Sequence, residues 1–124
     1  MTDLQALADR VRHELDTYEI PEPHPEQLGA PLPASWFEEN LACMRKGLVE
    51  PYWAQVLDYD PVIKGPSPRS VAIVARDDLG NYLAYDPKPS EDGFDNDFAM
   101  VGTEADGLHI YNIRGDAVGT FLSF

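Results

Sequence analysis

Apolar positions Leu4, Leu7, Val11, Leu15 and Tyr18 step by three and four residues, which is one buried stripe of an amphipathic helix. Arg10, Arg12, Glu14 and Asp16 fall mostly off that stripe, and Thr2 with Gln5 forms a capping box ahead of it. The pattern predicts a helix over 3–18. A second stripe, Phe37, Leu41 and Met44, follows Ser35 and Glu38, again at capping-box spacing, and Gly47 stands where a helix commonly stops. This predicts a helix over about 36–46, with Trp36 helping to hold it against a sheet.

Beyond Leu48 the period shortens. The segment 48–57 is aromatic and β-branched, with Pro51 marking an edge or a bulge. The run VAIVAR at 71–76 is nearly continuous in apolar residues, as expected of a strand covered on both faces. DDLGN at 77–81 has turn chemistry, and YLAYD at 82–86 is expected to return antiparallel. Segments 98–102, 108–113 and 117–124 read as three further strands, with 114–116 as a turn. The prolines at 61, 66 and 68 make 60–69 a loop, and 87–97 is an irregular acidic loop. Dense prolines over 19–34 exclude a helix there and favour extended chain linking the two helices. The fold class expected is α+β. It is a single domain over 1–124, with two N-terminal helices packed on a mostly antiparallel sheet of about five to six strands. No βαβ alternation and no internal repeat occur.

Charge changes the picture. The chain of 124 residues carries 22 acids against 9 bases, a formal net charge of −13. Such a surface repels phosphate backbones and anionic membranes and draws basic proteins toward it. Nucleic acid and membrane partners are therefore not expected, and a basic protein partner is. No apolar run reaches the roughly 20 residues of a membrane-crossing helix. The first ten residues show no signal-peptide pattern. With one cysteine, an internal disulfide is impossible, and a cytoplasmic location is the simplest expectation.

Candidate chemistry is sparse. Cys43 lies well inside the second helix, where the helix dipole does not activate a thiol, so it reads as a small core hydrophobe. His13, His24 and His109 are scattered and have no metal-ligand spacing. The loop around Asp92, Asp95 and Asp97 has carboxylates enough for calcium but lacks the order of an EF-hand, so it reads as solvated. No GxSxG elbow and no glycine-rich phosphate cradle is present, so neither a catalytic residue, a metal nor a cofactor is assigned.

The acids concentrate at 77–106, where Asp77, Asp78, Asp86, Glu91, Asp92, Asp95, Asp97, Glu104 and Asp106 stand against the single base Lys88. Aromatic residues embedded in a charged rim make a docking patch, because anchors supply affinity while charge supplies steering. The expected partner-binding set is Asp77, Asp78, Glu91, Asp92, Asp95 and Asp97, with Phe94 as anchor. Two other readings stand beside it. One is a small-ligand or enzymatic pocket between helices and sheet lined by Trp36, Trp53, Tyr82 and Tyr111. The other is an accessory subunit of a larger assembly.

LPASWFEENL at 32–41 resembles the leucine-proline entry to an aromatic helix in the SMI1/KNR4-like superfamily of immunity proteins. LGNYLAYDP at 79–87 is similar to that superfamily's aromatic β-hairpin, and the order of helices before an acidic sheet is also shared. The resemblance implies an immunity or antitoxin-like protein that binds and neutralises a basic toxin. It transfers no site residue to this chain.

Overall fold

The structure, a computed structural model, describes residues 3–20, 33–87 and 97–123. Helix α1 spans Leu4–Thr17 and α2 spans Ala34–Gly47. Five strands follow: β1 Leu48–Asp60, β2 Gly65–Arg76, β3 Tyr82–Tyr85, β4 Phe98–Glu104 and β5 Gly107–Gly115. A short helix, α3, covers Ala117–Leu122. The fold is α+β, as expected, and the sheet is mostly antiparallel. It is not an open sheet, however. The meander β1 to β5 closes into a barrel through a parallel contact at Leu57 and His109. Closure removes the exposed sheet edges along the body of the barrel that an open five-stranded meander would leave.

Two apolar clusters account for the layering. Val56, Val71, Ile73, Ala84 and Val101 come from strands only and fill the barrel. On the alternate faces of the same strands, Ala72, Val74, Leu83, Phe98 and Met100 meet α1, α2 and α3 on the outside. This double coverage explains why 71–75 is buried without interruption. The α1 stripe is as the periodicity predicts, with Leu7, Val11 and Leu15 buried. Met44 is buried on α2. Phe98 is sealed by Tyr85 at 5.8 Å edge-on, and by the Arg10 guanidinium 5.1 Å from its ring centroid.

The ends of elements differ from the sequence-based expectation. Asp3 caps α1, its Oδ1 accepting from the Gln5 amide at 2.9 Å and from the Ala6 amide at 3.4 Å. At α2 the cap position is Pro33 without a side-chain bond, and Ser35 lies inside the first turn. Gly47 ends α2 against β2, where an added Cβ would fall 1.9 Å from the Arg76 carbonyl oxygen. Pro51 sits in a β-bulge between Leu48 and Tyr52.

Segment 117–124, expected as a sixth strand, is helical through Leu122. Asp116 caps it, accepting from the Gly119 amide at 2.8 Å, while Glu14 of α1 accepts from the Val118 amide at 3.2 Å. Its buried residues, Ala117, Val118, Thr120 and Phe121, fit the gap between α1, α2 and the barrel. The expected loop at 60–69 is also mostly strand. Only 61–64 is turn, and β1 and β2 stay paired out to Asp60 and Gly65. The far part of this hairpin extends beyond the β3 pairing, which begins at Ala72, so 57–68 forms an arm that is two-stranded past the Leu57–His109 pair.

Candidate functional site

Of the seven residues expected to form one docking patch, the structure describes Asp77, Asp78 and Asp97. Glu91, Asp92, Phe94 and Asp95 lie outside the described residues. Asp77 and Asp97 stand at opposite ends of β3. Asp77 is occupied in building its turn. Its Oδ1 accepts from the Leu79 and Asn81 amides at 2.8 and 2.9 Å, and its Oδ2 from Asn81 Nδ2 at 2.9 Å. Asp78 accepts from the Cys43 thiol at 3.7 Å. Burial first, and then the Asp78 carboxylate, push that thiol up, so it is not an activated nucleophile. Asp97 pairs with Arg10 at 2.9 Å.

Asp86, counted in the same acidic run, is inside the protein. Its side chain is 1% exposed and accepts from Arg114 Nη1 at 2.7 Å. Arg69 Nη2 approaches the same oxygen at 2.7 Å and Asp58 at 3.3 Å, close enough to pair in charge but not aligned for a hydrogen bond. Two arginines on a shared carboxylate are a structural ion cluster that neutralises the barrel's polar end.

A surface cleft opens instead where the barrel closes. The strand register climbs around the barrel, so the far part of β1 meets the start of β5. Leu57, Asp58 and Tyr59 form one wall. Glu104, Ala105, Asp106, His109, Ile110 and Tyr111, from the β4–β5 hairpin, form the other, enclosing about 540 Å³. Alternation on β5 places His109 and Tyr111 on one face. Tyr111 reaches Glu104 Oε1, donating at 2.9 Å, because Gly102 beneath it has no side chain; a Cβ there would fall 1.9 Å from the phenol oxygen. That hydrogen bond to Glu104 raises the Tyr111 phenol, with burial adding to it. His109 Nε2 lies 2.6 Å from Asp106 Oδ1, and this contact holds Asp106 below its usual range. Gly107, at φ 132°, makes the tight hairpin turn that puts both acids at the rim.

Glu104 and Asp106 are thus partnered by the Tyr111 phenol and the His109 ring, and Asp58 shares Arg69 with Asp86. A smaller cavity of about 180 Å³ adjoins, lined by Asp58, Tyr59, Asp60, Pro61, Ser67, Pro68 and Arg69. Of the four aromatics expected to line a pocket between helices and sheet, only Tyr111 borders the cleft. Trp53 is 44% exposed on β1, Tyr82 packs against the barrel cluster, and Trp36 packs edge-on against Phe37.

Glu104 and Asp106 belong to the acidic run of the sequence, but no local pattern singles them out, and none marks Asp58, Tyr59 or Gly102. The nearest signal is the His109-x-Tyr111 spacing beside a two-acid hairpin turn. Among the described residues no His, Cys, Asp and Glu side chains gather as a metal-ligand set, and no helix is long and apolar enough to cross a membrane. Protein-family profiles, curated proteins and solved structures were each compared with this chain, and none matches it.

Proposed function

We propose that this chain is a cytoplasmic, acidic protein-binding module that docks a basic partner along the cleft between β1 and the β4–β5 hairpin. An immunity or antitoxin-like role, in which the partner is a basic toxin whose cationic surface is occluded, is the biological form of that proposal. One observation carries it: a cleft of about 540 Å³ rimmed by Asp58, Glu104 and Asp106 and walled by Tyr59 and Tyr111. An arginine or lysine entering it meets carboxylates at the rim and aromatic faces along its stem, the combination that favours a guanidinium. The net charge of −13 steers such a partner from a distance.

Fluorescence anisotropy with labelled octa-arginine tests this. Affinity is expected to fall by about tenfold or more between low and high salt, since exposed charges are screened within a Debye length of roughly 10 Å at 0.1 M. Replacing Glu104→Gln and Asp106→Asn together is expected to weaken binding several-fold more than Glu38→Gln with Glu39→Gln, an equal charge change on the exposed face of α2. Equal losses from the two pairs would remove the cleft as the site. Cleft volume also suits a small ligand. Free arginine binding as tightly as the peptide would favour that second reading.

A further inference from the structure

The arm formed by 57–68 has a feature that the acidic cleft alone does not explain. Three of its side chains are large, apolar and out in solvent: Tyr59 at 66%, Val62 at 88% and Ile63 at 62% exposed. The tip that carries them is held in shape. Asp60 Oδ1 accepts from the Val62 amide at 2.9 Å, and Lys64 takes a left-handed φ of 55° that a non-glycine residue adopts only at some cost. Pro66 and Pro68, two apart on β2 and opposite Tyr59 and Leu57, share one edge of the arm and give it no donors. Addition of a further strand along that edge is thereby blocked. Contact through side chains remains, and Tyr59 belongs to the arm and to the cleft wall alike.

We infer that the arm and the cleft form one docking surface for an extended basic segment of a partner protein, in which cationic side chains enter the cleft and alternate aliphatic side chains cover Tyr59, Val62 and Ile63. This rests on the reading of the cleft given above and adds the apolar half of the partner's chemistry. The period of two in an extended chain supplies side chains to two sides at once. Charge argues for a basic occupant over a second copy. Each copy bears −13 and would bring Asp58, Asp60, Glu104 and Asp106 against the same set. Three exposed side chains also offer far less than the roughly 1,200–2,000 Å² of a stable protein interface, so the arm needs the charge beside it.

Two synthetic peptides, Ac-GRLRLRG-NH2 and Ac-GRSRSRG-NH2, separate the two claims when titrated by calorimetry against the full chain. The leucine peptide is expected to bind about tenfold more tightly, from the apolar area its side chains bury. Val62→Ser with Ile63→Ser, at exposed positions that leave the fold unstressed, is expected to erase that advantage and leave the serine peptide unchanged. Equal affinities for the two peptides, or an advantage that survives in the variant, would overturn the role of the arm while leaving the acidic cleft standing. A serine peptide indifferent to Glu104→Gln with Asp106→Asn would overturn the cleft itself. Sedimentation showing a dimer that strengthens with salt and is lost in the Val62→Ser, Ile63→Ser variant would assign the arm to a second copy instead.

Discussion

Asp86 shows why a carboxylate's place in the sequence says little about its work. It stands in the most acidic stretch of the chain, yet its side chain is 1% exposed and faces Arg69 and Arg114. Its partners lie on two other strands, and no local pattern announces them. Asp86→Asn is expected to cost about 3–5 kcal/mol in urea unfolding, the range for breaking a buried pair from one side. Asp97→Asn, which releases Arg10 from a partly exposed pair, is expected to cost about 1 kcal/mol or less. Glu14 offers a test in pH. Burial raises it above the ordinary 4.5, outweighing the bond from the Val118 amide that lowers it. Its folded value thus exceeds its unfolded one, so its contribution is complete below the unfolded value and declines as pH rises through the folded one. Glu14→Gln is expected to raise the melting temperature at pH 7 relative to the parent, with the difference shrinking toward pH 4. A variant less stable at pH 7 would show that the carboxylate's bond to α3 outweighs its desolvation.

Elements were legible where one period ran long enough. The stripes of α1 and α2, the doubly covered strand at 71–76 and the hairpin across 77–81 follow from spacing and turn chemistry alone. The misreadings have specific causes. Segment 117–124 is rich in Val, Thr and Phe, and α3 is only six residues long, too short for a helical period to declare itself. What makes it helical is the local Asp116 cap together with the contact with Glu14, and the second of these depends on tertiary placement. Asp116→Ala is therefore expected to cost about 1 kcal/mol, as loss of a cap does, and to speed amide exchange through α3 ahead of the barrel. Exchange unaltered in α3 would show that packing alone holds the helix. The prolines at 66 and 68 read as loop because proline is excluded from central strands, but an arm with a free edge accommodates them.

At the scale of the whole molecule, closure of the barrel is what the sequence concealed, since the parallel seam that joins the first strand to the last is paired at Leu57 and His109, residues far apart in the chain. That closure creates the cleft and brings Asp58 near Glu104 and Asp106. The acidity itself was plain from composition. Its distribution was not, because Asp77 builds a turn, Asp86 is internal and Asp97 is paired. The most direct test of the cleft is a set of amide nitrogen–proton spectra recorded as octa-arginine is titrated into the labelled chain at low salt. Shifts are expected to concentrate at 57–60 and 104–111 and to collapse when salt is added. Shifts scattered over the acidic surface as a whole, or centred on 77–78, would contradict the assignment of the binding site to this cleft.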